Sequence, residues 1–412
     1  MFIGKENQDE QKKEYLTQNA DLRYNQDHQN ERRNTMTDKE TGELRRRIRK
    51  DKCAVPFIYG AFINEKKELI STFRQNVGLM PNDDADAIFK LMRKCFSGTL
   101  GKNLVDVSFP TETVMNGEEH KMLMAIRKQT AESEPFIQTF FEKTAETLNM
   151  QSAYIVLLAQ DKYDIPSFAK DGQDNEDSSE VFEYFFCCVC PVKESKAALS
   201  FIASENAFKT LSASTVLGSP EMGIVFPAFD DRTANIYDML LYTKNTADNH
   251  TEFITDFLKG NVPMPAEEQK ETFNNILEET LSDECSLDVA VKVRDAVCEG
   301  IEEHKNSGEE EEYTLSKRDV SRVLSDCGVS EEKVEKFENL YDENFGSETS
   351  LSPVNLVNTK QIDIATPDVS IKINSDRSDL VKTKVIDGSN YILIRADVSI
   401  EVNGVNIAIE SK

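Results

Sequence analysis

Four stretches carry residue types and spacings that could do chemistry. The first is Ser97-Gly-Thr-Leu-Gly-Lys-Asn103. Gly98 and Gly101 there let backbone amides, that of Thr99 among them, converge on an anion beside Lys102 and Asn103. The spacing fails the nucleotide P-loop rule, which wants more residues between the glycines and a Ser or Thr after the lysine, where Asn103 stands. The expectation is an anion cradle of another kind, weighed against a plain helix cap at Gly98. The second stretch is Asp230, Asp231 and Arg232, following the apolar run that ends at Phe229. Paired carboxylates there would hold a divalent cation or share a proton, with Arg232 fixing an anionic substrate; the plainer reading is a cap and a salt bridge. The third is Arg45, Arg46, Arg47, Arg49 and Lys50, a cluster suited to phosphate contacts on a nucleic acid. Its competitor is docking on an acidic part of the same chain or of a second copy. The fourth is Cys187, Cys188 and Cys190. On a strand Cys188 and Cys190 share one face and Cys187 takes the other, so the three do not converge on one ion and read as buried packing. His28, His120, His250 and His304 all lie in polar sequence and read as surface residues. The chain holds no Gly-x-Ser-x-Gly elbow, no Rossmann fingerprint and no His-Glu-x-x-His. No catalytic residue, cofactor or metal is therefore assigned.

The elements that must position these residues fall into four stretches. Residues 1–36 are polar, without a period, and read as a disordered or loosely helical extension. Met36 stands as an alternative start. Residues 37–262 read as a mixed α/β domain. It opens on a helix with Thr37 and Glu40 as a capping box, and has strands near Ala54–Ile63, Tyr154–Ala159, Val181–Val192, Ala197–Ile202, Met222–Phe229 and Ile236–Thr243. Helices are expected at Asp83–Phe96 and Pro135–Leu148, and the polar stretch Asp161–Ser179 reads as a loop. Residues 263–348 form an acidic helical segment, with stripes such as Phe273, Ile276, Leu277 and Leu281, a helix pair over Asp319–Phe345 that turns at Gly328, and a solvated linker at Glu309–Glu312. Residues 355–412 read as a small β-rich domain with turns at Asp387-Gly388 and Asn403-Gly404, its strands closing a small barrel or sandwich. The fold class is α+β.

Composition narrows the function classes. Hydrophobic residues make up 39% and charged residues 30%, ordinary for a soluble globular protein, and a chain of 412 residues is long enough for more than one folded core. The net charge is −26, and residues 263–348 carry 25 acidic against 9 basic side chains. That balance opposes non-specific binding to nucleic acid or anionic lipid and favours basic partners. No apolar run is long enough to span a bilayer and no apolar signal core follows the first residues, so a cytoplasmic, reduced environment is expected for the eight cysteines.

Glu43-Leu-Arg-Arg-Arg, the glycine loop at 97–103, Cys190-Pro-Val192, Phe226-Pro-Ala-Phe-Asp-Asp-Arg232, Tyr242-Thr-Lys-Asn245, Glu268-Gln-Lys-Glu-Thr-Phe273 and Val385-Ile-Asp-Gly388 together resemble an uncharacterised family of Gram-positive bacterial proteins, domain-of-unknown-function family 4317. The resemblance covers about residues 37–407 and implies no activity. A fainter resemblance, in order of elements only, is to nucleoid-associated proteins of the YejK type. The expectation is a non-enzymatic interaction or regulatory protein, with nucleoid association as one form of it. Its partners would be a protein, a second copy, or nucleic acid through the local basic patch, without membrane contact. The alternative is an enzyme or binding module for a phosphorylated ligand.

Overall fold

The computed structural model describes residues 36–166, 180–195, 197–204, 206–211, 214–308, 313–396 and 400–407. The fold class is α+β, and the chain divides into two compact units, Met1–Glu268 and Gln269–Lys412. Residues 1–35 of the expected 1–36 extension, the linker Glu309–Glu312 and residues 167–179 of the expected loop lie outside the described residues.

The first unit is organised by an eight-stranded sheet in which β1 (Phe57–Ile63), β2 (Leu69–Asn76), β3 (Leu104–Ser108), β4 (Tyr154–Ile165), β5 (Glu180–Ser195), β9 (Met222–Phe226) and β12 (Asp238–Thr243) run in the order β2-β1-β4-β5-β9-β12-β3, every pairing antiparallel. β6 (Ala198–Ile202) and β7 (Ala207–Leu211) form a separate hairpin, β8 (Ser214–Leu217) extends the far end of β5, and β10 (Ala228–Asp230) with β11 (Thr233–Asn235) forms a second hairpin. Successive side chains of a strand point to opposite faces, and at the centre of this sheet, in β4, β5 and β9, both faces are covered, while edge strand β2 is exposed. That is why the central strands read as continuous apolar runs instead of alternating ones. Tyr154, Val156, Leu158, Phe185, Cys187 and Val189 point to one core, which also takes Leu123, Ile126, Phe140, Phe141 and Phe257. Leu157, Ala159, Tyr184, Phe186, Cys188 and Cys190 point to the other, with Leu44, Ile48, Phe89, Phe96 and Phe229. Each fully buried Leu, Ile or Phe contributes roughly 1.5–3 kcal/mol.

The helices that cover the sheet are α1 (Asp38–Arg47), α2 (Asn82–Met92), α3 (Thr111–Asn116), α4 (Glu118–Ile126) and α5 (Glu134–Thr147), with a π-helical turn at Phe253–Leu258. Strand β2 and the helices at 111–126 were not anticipated. Gly60 does not break β1 as its type suggests; it lies beneath the Phe73 ring of β2, where a Cβ would come within 2.0 Å of the ring. The expected loop from Asp161 is a strand as far as Ile165, because Asp161 is buried with partners on other elements.

In the second unit α6 (Ala266–Leu281), whose first turn precedes the unit boundary, is followed by α7 (Leu287–Ser307), α8 (Lys317–Asp326), α9 (Glu331–Asn344) and the short α10 (Pro353–Leu356). Phe273, Ile276, Val293, Val297, Ile301, Val320, Leu324, Phe337 and Tyr341 make their common core. Ser316 caps α8 through a reciprocal bond with Asp319, and Gly328, at φ 84°, turns the chain into α9. The expected barrel or sandwich does not form among the described residues. β13 (Gln361–Ala365) pairs with β14 (Ser370–Asn374), β15 (Val381–Ile386) with β16 (Ser389–Ile394), and β17 (Ile400–Val402) with β18 (Val405–Ile407), as three separate two-stranded sheets. The Asp387-Gly388 and Asn403-Gly404 turns have positive φ at both central residues, the geometry those dipeptides favour in a hairpin.

Candidate functional site

The densest polar arrangement in the first unit begins at α1. Thr37 accepts the Glu40 amide and Glu40 Oε2 accepts the Thr37 amide at 2.8 Å, so the helix starts where its sequence says. Leu44 and Ile48 enter the core, which leaves Glu43 and Arg47, four residues apart, on one flank. Arg47 grips the buried Asp161 with Nε at 2.7 Å and Nη2 at 3.2 Å, and Nη2 also donates to the Lys162 carbonyl at 2.6 Å. Asp161 further accepts the Ala54 amide at 2.6 Å and the Tyr184 hydroxyl at 2.8 Å. Burial opposes the Arg47 charge, yet bonding and attraction from Asp161 outweigh it and hold the guanidinium pKa above its ordinary value. Burial, then the Asp161 charge, drives the Tyr184 hydroxyl well up.

The Arg47 guanidinium also lies 4.5 Å from the centre of the Tyr163 ring, and the Tyr163 hydroxyl donates to Glu43 Oε1 at 2.5 Å. Burial and the Glu43 bond push that hydroxyl up to about 12. The same Glu43 oxygen takes Arg232 Nη2 at 3.1 Å, and the Arg232 amide donates to Glu40 Oε1 at 3.1 Å. Asp231 and Arg232, with φ 47° and 57°, are the two central residues of the β10–β11 hairpin turn. The basic cluster and the Asp-Asp-Arg run, far apart in the chain, thus meet in one network. It clamps α1 and the β10–β11 hairpin to the sheet.

Asp230 extends this network. Asn235 Nδ2 bridges Asp230 Oδ2 at 3.1 Å and Asp238 Oδ2 at 2.7 Å. Burial raises the Asp238 carboxyl to about 6 against the Asn235 bond, and raises Asp230 with help from Glu40 and Asp231. Among the described residues no group of three or more His, Cys, Asp or Glu is arranged to hold a metal ion. Of the rest of the basic cluster, Arg45, Arg46 and Arg49 are exposed, and Lys50 donates to Asn82 Oδ1 at 2.8 Å.

The glycine loop bonds to itself and to β12. The amides of Lys102, Asn103 and Leu104 donate to the Thr99 carbonyl at 3.1, 2.9 and 3.2 Å, and that of Gly101 donates to Leu104 at 2.8 Å. The Asn103 side chain donates to the Thr243 carbonyl of β12 at 3.1 Å. Gly98, at φ 154°, has no space for a side chain, since a Cβ would stand 2.5 Å from the Cβ of Asn103. The contacts of this loop run to β12, while those of Arg232 run to α1.

Cys188 and Cys190 share a face as the strand period requires, with sulfurs 3.8 Å apart, and burial raises the thiol of Cys187 on the opposite face. Two histidines correct the surface reading. His120 is buried, its Nε2 2.8 Å from the Ile236 carbonyl, its ring edge-on to Phe109 and Phe226, and burial lowers its pKa. The ring of His250 is only 10% exposed beside Asp248 and is likewise shifted down by burial. His304 stacks on Tyr313, and His28 lies outside the described residues.

The second unit shows the reverse of this closure. Val385, Ile394, Val402 and Val405 are between 49% and 64% exposed on strands that, among the described residues, pair on one side only, and Tyr391 and Leu393 stand beside them, also exposed. Ile362, Ile373 and Val381 form a small buried cluster, with Ile364, Ile371, Leu380 and Ile392 of the same stretch and Leu287 of α7 packed against it. These strands mix polar with apolar residues, as in Val-Lys-Thr-Lys-Val-Ile386, where β5 runs Phe-Phe-Cys-Cys-Val-Cys190.

A family model described as Domain of unknown function (DUF4317) matches residues 36–405. No curated protein and no solved structure matches the chain. No helix of the described residues is long and apolar enough to cross a membrane.

Proposed function

We propose, from the premise that the chain belongs to the DUF4317 family, that this is a non-enzymatic interaction protein whose contacts are made through its C-terminal hairpins. The single observation that carries this reading is the exposed apolar surface of β15–β18, strands that pair on one side only among the described residues. A two-stranded ribbon is only marginally stable in water, and its free edge offers unpaired N–H and C=O groups to an incoming strand. Strand addition would use those groups for affinity and the alternate side chains Tyr391 and Leu393 for specificity.

The candidate chemistry elsewhere supports the same reading. Arg47, Asp161, Tyr163, Glu43 and Arg232 hold one another, and the amides of residues 101–104 bond within their own loop. A phosphorylated ligand that used Arg47, Arg232 or the amides of residues 101–104 would have to displace those bonds. Nucleic acid is less favoured than protein, because only Arg45, Arg46 and Arg49 of the basic cluster stand exposed, in a chain of net charge −26.

The test is photo-crosslinking in the native host with a photoreactive phenylalanine at Tyr391. A discrete adduct is expected, lost when Leu393→Glu is added. The same probe at the exposed Leu79 of the first unit should give none. Equal adducts at both positions, or none at Tyr391, would overturn the reading.

A further inference from the structure

From the second unit's helical core, we infer that the groove between α7 and α8 takes an amphipathic helix of a partner protein, with aliphatic side chains on its floor and Lys or Arg at its rim. This surface is separate from the hairpins and does not rest on them. On α7 the half-buried Ala296 and Gly300, four residues apart on one helical face, and on α8 the half-buried Val323 line a cavity of about 290 Å³ over the core side chains Val293, Val297 and Val320. The floor is therefore apolar. The rim is acidic, with Glu299 and Glu303 on α7 and Asp319 on α8 against the single cation Arg322.

Gly300 is what keeps the end of the groove in this shape. A Cβ at that position would stand 2.1 Å from the Tyr313 hydroxyl, so only glycine lets the tyrosine ring lie against α7, where it stacks on His304 at 5.7 Å. Tyr313 lines the same cavity as Asp319 and Glu303, and burial, followed by their charges, shifts its hydroxyl up. An aromatic face beside two or three carboxylates, over aliphatic residues, is the chemistry that receives a cation carried on an apolar stem.

Charge complementarity selects the partner. Residues 263–348 hold 25 acidic and 9 basic side chains, most of the chain's surplus of negative charge, so an acidic or neutral helix would meet repulsion or no attraction at the rim. A basic amphipathic helix meets attraction at the rim and burial at the floor, the helix-in-groove mode with anchors at i, i+3, i+4 and i+7.

The experiment uses the full chain and a fluorescein-labelled model peptide of Leu and Lys spaced as an amphipathic helix. Binding is followed by anisotropy at about 0.15 M salt, where long-range attraction is screened. The comparison peptide has the same composition in an order that breaks the helical face. Glu299→Gln with Glu303→Gln should weaken binding roughly tenfold. Ala296→Phe, which fills the floor, should abolish it, with circular dichroism confirming the helices. Glu332→Gln with Glu335→Gln, the same charge change on α9, should leave it within about twofold. The inference is overturned if the native chain fails to bind the peptide, if the reordered peptide binds as well, or if the α9 pair weakens binding as much as the groove pair.

Discussion

The sheet of the first unit and the hairpins of the second are both made of antiparallel strands and reach opposite ends. Leu157 and Leu158 of β4 point to different faces, and both are buried, because helices lie on each side. Leu393 and Ile394 of β16 also point to different faces, and both are exposed. The strands differ in pattern, a continuous apolar run at Tyr154–Ala159 against interleaved lysines at Lys382 and Lys384, and they differ in what covers them. The first unit encodes its own cover in α1, α2, α4 and α5, whereas the helices of the second unit pack mainly on one another. One region is a completed core and the other an unfinished one.

The sharpest way to break this comparison is to open the completed core. Asp161 is fully buried and receives bonds from Arg47, Tyr184 and the Ala54 amide. Asp161→Ala leaves a guanidinium with no counter-charge in a poorly solvated site, and breaking such a pair from one side costs about 3–5 kcal/mol. Chemical denaturation followed by circular dichroism would give the loss. Hydrogen exchange should confine the lost protection to the first unit. A loss under about 1 kcal/mol would mean that the clamp on α1 is not structural.

That clamp also marks where reading the sequence stopped. The capping box at Thr37, the opposite faces of Cys187 and Cys188, the two hairpin dipeptides and the helix pair around Gly328 are local patterns, and each appears where its residues put it. Asp161 appeared to begin a polar loop, because its partners Arg47 and Tyr184 are distant in sequence and a buried aspartate is legible only once they are known. His120 failed for the same reason; its polar neighbours Glu119 and Lys121 lie along α4, while Phe109 and Phe226, which bury it, come from elsewhere. The meeting of Glu43 with Arg232 joins two of the expected sites, yet nothing local in either stretch signals it. For the C-terminal strands the local pairing was legible and the closure was not, since alternation fixes a strand's two faces without saying what covers either.

A smaller change should strengthen the first unit. Asp238 has its carboxyl raised by burial from 3.8 to about 6, opposed by the Asn235 bond and assisted by the Asp230 charge. A folded-state pKa above the unfolded value means that the fold prefers the protonated acid. The stability this contributes is complete below about pH 3.8 and is lost as the pH rises through about 6. Asp238→Asn removes the ionised form, and a shift of this size sets a ceiling near 3 kcal/mol, with about 2 expected after allowing for residual solvent access. Melting at pH 8 should therefore show a gain, and the gain should vanish towards pH 4. A gain that persists unchanged at low pH would assign it to packing instead of charge.

The smallest effect tests the unfinished side. Leu393 is 39% exposed and stands in register with Lys382 across the β15–β16 pair. Leu393→Glu gives up partial burial but sets a carboxylate opposite that lysine, a cross-strand pair that contributes about 0.2–1 kcal/mol. The two terms offset, and the isolated chain should change by no more than about 0.5 kcal/mol in denaturation. The same substitution is expected to remove the crosslink at Tyr391, so stability and contact would separate at one residue. A large loss of stability would show instead that Leu393 completes a core within its own chain, and the contrast between the two regions would then be one of degree.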